Sequence, residues 1–148
     1  MFLRHPVLSI VTIGYLALVG WITLSPLDAP SQFGILWKLA EFFEAHAATD
    51  WITFARLEFA ANVVMFVPLG LFLVLLLGRR QWWLAIGFGL ALTAAIEFAQ
   101  QFIANRVSDP RDLVANGIGA IVGTLLALAL TAAEARRIRL ASRVRRVA

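Results

Sequence analysis

The sequence contains no cysteine and few charged residues. Of its 148 residues, 15% are charged and 61% are hydrophobic. The absence of cysteine excludes disulfide bonds, thiolate nucleophiles and thiolate metal ligands. Soluble domains are about a quarter charged, so this chain lacks the polar shell that a water-soluble fold of its size needs.

Four apolar stretches are long enough to cross a membrane. A helix needs about 20 apolar residues to span roughly 30 Å of hydrocarbon, and such stretches lie at about 7–24, 59–77, 82–103 and 113–132. They are continuously apolar and lack the alternation of membrane strands. The first stretch is longer than the apolar core of a signal peptide and precedes no A-x-A site. The sequence therefore predicts an all-α membrane protein with four transmembrane helices, the first a retained anchor.

The positive charges indicate how the helices are oriented. Nine of the 13 lysine and arginine residues lie before the first stretch, between the second and third, or in the tail: Arg4, Arg79, Arg80, Arg136, Arg137, Arg139, Arg143, Arg145 and Arg146. The positive-inside rule places all of them in the cytoplasm. We therefore predict a multi-pass protein of the bacterial inner membrane, with a transmembrane domain at 1–135, a basic tail at 136–148 and both termini cytoplasmic. This distribution indicates that the pI near 11.0 reflects the orientation of the helices in the membrane instead of nucleic-acid binding.

The long outer segment at 28–58 contains an amphipathic pattern. Its apolar residues recur at helical spacing, and its charged residues lie opposite them: Ile35, Leu36, Leu39, Phe42 and Phe43 against Lys38, Glu41 and Glu44. This pattern predicts an amphipathic helix in the outer interface, with Trp37 and Trp51 at the level of the headgroups. The alternative is that segment 35–54 packs over the mouth of the bundle as a lid.

The few polar residues inside the apolar stretches lie at one level. Asn62 is one turn inside the second stretch, Glu97 is near the outer end of the third, and Asn116 is one turn inside the fourth. At a rise of about 1.5 Å per residue they reach a similar depth on three helices. Because polar residues inside a membrane are mostly functional, we expect an outward-facing polar pocket. The alternative is a structural network in which Glu97 pairs with Arg106.

The fourth stretch also carries a packing pattern. Asp112, Asn116, Gly119 and Gly123 follow one another at i, i+4, i+7 and i+11 and share one helix face. Glycines at this spacing allow another helix to approach closely, so the polar end and the packing surface are predicted to point into the bundle. In the second stretch, Pro68 removes a backbone donor and favours a kink.

The chemistry open to these residues is limited. The two histidines, His5 and His46, lie away from the polar residues, and no Ser/His/Asp arrangement is present. We predict no cofactor and no metal site. Carboxylates in this number could hold a divalent cation, but acidic patches beside arginine are more often ion-pair networks. Glu97, Asp109 and Asp112 are the candidates for acid–base catalysis.

The ordered motifs resemble the signature of the VanZ-like membrane proteins. They are Leu24-Ser25-Pro26, Asn62-Val-Val-Met-Phe66-Val-Pro68-Leu-Gly70, Glu97-x-x-Gln100 and Arg106-x-x-Asp109-x-x-Asp112-Leu-x-x-Asn116-x-x-Gly119-x-x-x-Gly123. The resemblance implies a compact helical membrane domain, in a family named for a protein that raises resistance to the glycopeptide teicoplanin. It also implies which residues bind a ligand, namely Asn62, Glu97, Gln100, Arg106, Asp109, Asp112 and Asn116, and which serve packing, namely Pro68, Gly70, Gly119 and Gly123.

The function favoured by the sequence is the binding of an anionic envelope lipid or lipid-linked precursor. Arg106 would hold a phosphate or carboxylate, because its planar guanidinium can donate to two oxygens at once. The acids would orient Arg106 and accept hydrogen bonds from hydroxyl or amide groups. Two alternatives are a membrane-embedded enzyme that uses two of these acids on a lipid-linked substrate, and a structural partner of an envelope synthase or transporter.

Overall fold

The computed structural model describes residues 6–25, 34–103 and 109–147, with side chains as far as residue 137. Within these residues, all regular secondary structure is helical. The α-helices are α1 (Pro6–Leu24), α2 (Gly34–Glu44), α3 (Phe54–Leu77), α4 (Trp82–Gln100) and α5 (Pro110–Val147). A 3₁₀ turn at Arg79–Gln81 joins α3 to α4. Helices α1, α3, α4 and α5 are long and apolar enough to cross a membrane, which confirms the predicted number of spanning helices.

Several helix ends differ from the predicted spans. Helix α3 begins at Phe54, before the predicted start at residue 59. Its first turns contain Arg56 and Glu58, which are too polar to count toward an apolar stretch. Helix α4 ends at Gln100, before the predicted residue 103, because the chain turns there. Helix α5 continues to Val147, so the basic tail extends the last spanning helix as far as the structure describes it.

The most extensive helix contact is between α3 and α5. Gly119 and Gly123 of α5 lie directly against the backbone of α3, where an added Cβ would overlap the carbonyl oxygens of Val63 and Val67. Gly70 of α3 lies equally close to the backbone of α5. The absence of side chains at these glycines brings the two helix backbones into contact, as in other closely packed membrane helices.

Helix α3 continues through Pro68. Because proline has no N–H, the carbonyl of Val64 lacks its usual helical donor. The hydroxyl of Tyr15 on α1 donates a hydrogen bond of 2.6 Å to the next carbonyl, that of Met65. The Tyr15 ring also meets Phe72 edge-on, with 5.8 Å between ring centroids. Tyr15 therefore ties α1 to α3 near the proline.

Helix α2 lies beside the start of α3 and is only partly covered. Its Trp37 stacks on Phe54, with 4.3 Å between ring centroids, and Ala40 is buried. Ile35, Leu39 and Phe42 are exposed. The structure thus contains the predicted helix, and its apolar residues divide between the contact with α3 and an open surface.

Candidate functional site

One end of the bundle brings polar side chains from α3, α4 and α5 together. Asn62 of α3 donates through Nδ2 to Oδ1 of Asp112 on α5, at 2.7 Å. Asp112 lies in the first turn of α5, where the free N–H groups of the helix end favour a carboxylate. The bond joins α3 and α5, the same two helices that pack against each other through glycines beginning about two turns further along. We call Asn62, Glu97, Gln100, Asp112 and Asn116 the polar cluster.

Asn116 lies one turn beyond Asp112 and is only 2% exposed. Its Nδ2 donates to Oγ1 of Thr93 on α4, at 2.9 Å. Its Oδ1 is buried and has no hydrogen-bond partner among the residues that the structure describes. A buried carbonyl oxygen without a donor destabilises a fold by about 1–3 kcal/mol, so this side chain is poorly explained by stability alone.

Helix α4 presents Thr93, Glu97 and Gln100 on one face, because they are separated by four and three residues. Glu97 is buried, and a negative charge on it would repel that of Asp112. Gln100 donates through Nε2 to the carbonyl oxygen of Thr23 on α1, at 3.0 Å. That carbonyl lies in the last turn of α1, where helical donors are missing. The Oε1 of Gln100 is a second buried oxygen for which the described part of the chain offers no donor.

Asp109 forms the N-terminal cap of α5. Its Oδ1 accepts the backbone N–H of Arg111 at 2.9 Å, and Pro110 takes the first helical position, where its missing N–H has no cost. The same carboxylate pairs with Nε of Arg111 at 3.1 Å, at an exposed position. Asp109 therefore has a structural role as a helix cap, which our sequence interpretation did not anticipate.

A small cleft opens between the starts of α3 and α5. Its volume of about 20 Å³ is roughly the room that one water-sized group needs. Three carboxylates and one arginine are among its lining residues, which are Ala55, Glu58, Phe59, Asp109, Arg111 and Asp112. The charge of Glu58 is repelled by those of Asp112 and Asp109. The cleft is thus narrow and net negative, and it admits a small group instead of a whole headgroup.

Three residues of this end of the bundle were not predicted. Thr93 lies one turn before Glu97, and Glu58 lies one turn before Asn62, so helical spacing from the predicted residues could have found both. Thr23 contributes its backbone carbonyl, which no pattern of side chains reveals.

Some of the predicted roles are not addressed by this geometry. Arg106, the predicted anion ligand, lies outside the described residues, and its pairing with Glu97 stays a prediction. Catalytic roles for Glu97, Asp109 and Asp112 also stay predictions. Among the residues that the structure describes, no three His, Cys, Asp or Glu side chains are grouped so that they could hold a metal ion.

The family model of VanZ/LLP1 matches residues 12–131. The match contains the whole polar cluster and the glycines of the α3–α5 contact. A search of the curated proteins and a search of the solved structures gave no match. The family match confirms the resemblance predicted from the motifs, and this multi-pass membrane protein belongs to the VanZ/LLP1 family.

Proposed function

We propose that this protein lies in the bacterial cytoplasmic membrane and binds the phosphate-bearing headgroup of an anionic envelope lipid or lipid-linked precursor. The observation that carries the proposal is the polar cluster itself. Three otherwise apolar helices carry amides and carboxylates at one end, and the buried side-chain carbonyl oxygens of Gln100 and Asn116 have no donor among the described residues. Buried polar groups of this kind in membrane proteins mark binding sites more often than packing contacts.

The charge distribution supports an outward-facing cluster. Arg136 and Arg137 follow Asp112 on the same helix by 24 and 25 residues, which corresponds to about 36 Å along its axis. That distance exceeds the roughly 30 Å of hydrocarbon in a bilayer. If these arginines are cytoplasmic, as the positive-inside rule favours, the polar cluster lies at the outer surface.

In the proposed site, an arginine and the carboxylates bind different parts of the headgroup. Arg106 would bind the phosphate through two parallel N–H donors. Glu97 and Asp112 would accept hydrogen bonds from hydroxyl or amide groups of the same headgroup. The family resemblance extends the proposal to glycopeptide susceptibility, which would change when the site is disabled.

Replacing Asn62 and Asp112 together by leucine tests the proposal. The double variant removes both partners of a partly buried hydrogen bond and substitutes apolar groups of similar volume, a change that is close to neutral for stability. We expect unchanged melting and the loss of co-purified anionic lipid, measured by native mass spectrometry.

Thr124→Val is the matched control. Thr124 is fully buried and its hydroxyl has no hydrogen-bond partner among the described residues, but it lies two turns beyond Asn116. The control should retain the lipid. Equal retention by the control and the double variant would contradict the proposal.

A further inference from the structure

The amides of the polar cluster direct their nitrogens toward the protein. Asn62, Gln100 and Asn116 each donate through the side-chain nitrogen to a protein acceptor. The side-chain carbonyl oxygens of Gln100 and Asn116 have no donor among the described residues. The two residues are 7% and 2% exposed, so contact with bulk solvent does not supply the missing donors. A phosphate carries acceptors and a negative charge, so it cannot satisfy these oxygens. They require a group that donates hydrogen bonds.

These two residues lie at different depths of the polar cluster. Asn116 contacts Thr93 on α4, and Gln100 follows Thr93 by seven residues, which corresponds to about 10 Å along the helix axis. Glu97 and Asp112 lie between these levels, each one turn from the level of Thr93 and Asn116. We call Gln100, Glu97, Asp112 and Asn116 the acceptor column. A ligand that satisfies both ends of the column must carry donors at more than one point along its length.

We infer that the anionic headgroup is a phosphate that carries a polyol, and that hydroxyl groups of the polyol donate to the acceptor column. This inference rests on the proposed headgroup-binding function and adds the chemical class of the ligand. A hydroxyl is a small, uncharged donor, so it enters a buried site at a lower desolvation cost than an ion does. An amide would bring a carbonyl oxygen that needs a donor in turn. The phosphate is bound by Arg106 in the proposed function, and the ligand keeps its negative charge.

Removing only the hydroxyl groups of a headgroup provides the test. Phosphatidylpropanol has the charge and the carbon chain of phosphatidylglycerol but lacks its free hydroxyls. The protein is equilibrated with an equimolar mixture of these two lipids and phosphatidylinositol, all with the same acyl chains, and native mass spectrometry measures the lipid that stays bound. We expect about tenfold more phosphatidylglycerol than phosphatidylpropanol, which corresponds to about 1.4 kcal/mol. Retention of phosphatidylinositol above phosphatidylglycerol would support a ring polyol as the ligand, and the reverse order a linear one.

Variants at the two ends of the acceptor column locate the effect. Asn116→Leu and Gln100→Leu each remove one buried carbonyl oxygen, and each should lower the ratio of phosphatidylglycerol to phosphatidylpropanol to about threefold or less. Total retention of anionic lipid should persist, because Arg106 is unchanged. Thr124→Val, which also alters a buried oxygen without a partner among the described residues, should leave the ratio unchanged. A tenfold preference for phosphatidylglycerol that survives both leucine substitutions would overturn the inference.

The wild-type protein alone also decides the question, so the test does not depend on the folding of any variant. Equal retention of phosphatidylglycerol, phosphatidylinositol and phosphatidylpropanol would overturn the polyol inference, but would leave the proposed binding of an anionic headgroup standing. Retention of none of these phospholipids would overturn the inference and would also count against the proposed function itself.

Discussion

Exchanging Gly123 for alanine tests the contact between α3 and α5. On an open helix surface this exchange is stabilising by about 0.5–1 kcal/mol. At Gly123, however, the new Cβ would overlap the carbonyl oxygen of Val67 and lie 2.8 Å from its carbonyl carbon. Carbon atoms pack at roughly 3.5–4.0 Å, so α5 would have to move from α3 by about 1 Å. Overpacking of this kind destabilises by about 1–3 kcal/mol, and we expect a net loss of stability.

Gly87→Ala is the matched control for this change. Gly87 is an exposed glycine within α4, and an added Cβ there meets nothing within 4 Å. Thermal unfolding of both variants in the same detergent should place Gly123→Ala below the parent protein and Gly87→Ala at or above it. The expected separation is about 1–3 kcal/mol, because the gain from replacing a helical glycine by alanine is common to both variants. Equal melting temperatures would refute the close packing of α5 on α3.

Three further changes test the topology, the predicted anion ligand and the contact of α1. Reporter fusions after Arg80 and Ala148 should read as cytoplasmic and one after Asp50 as extracytoplasmic; an extracytoplasmic C-terminus would place the polar cluster on the inner side. Arg106→Lys should purify and melt like the parent protein but lose anionic lipid binding and any effect on glycopeptide susceptibility, because lysine cannot donate to two oxygens in parallel. A lower melting temperature with function retained would favour a purely structural role for Arg106. Tyr15→Phe should lower the free energy of unfolding by about 0.5–1.5 kcal/mol, because it removes the hydrogen bond to a backbone carbonyl of α3. An unchanged melting curve would show that this bond does not stabilise the contact of α1 with α3.

The spanning helices could be predicted because length and apolarity decide which segments cross a bilayer. Their ends could not be placed by the same rule. At the start of α3, Arg56 and Glu58 are helical, although an apolar count stops before them. At the start of α5, the sequence Asp109-Pro110 was a sufficient signal for a cap followed by the first helical residue, but our interpretation treated Asp109 only as a polar site residue.

The polar cluster could be predicted in part. Helical spacing along single helices grouped Asp112 with Asn116, since it depends only on the chain itself. The hydrogen-bond partners across helices could not be predicted, because they depend on how each helix is rotated about its axis. The bond from Asn116 to Thr93 requires a particular face of α4 to meet α5. The bond from Gln100 to Thr23 requires the end of α1 to lie beside α4.

The most direct test of headgroup binding is the density at the polar cluster in a crystal structure grown from a lipid phase containing an anionic phospholipid. We expect continuous density for a headgroup at the polar cluster, with its hydroxyl or amide groups about 2.7–3.2 Å from carboxylate oxygens of Glu97 and Asp112. The phosphate should be bound by Arg106. A polar cluster that contacts only ordered water or side chains of the protein, while lipid is ordered elsewhere on the surface, would contradict the proposed binding site.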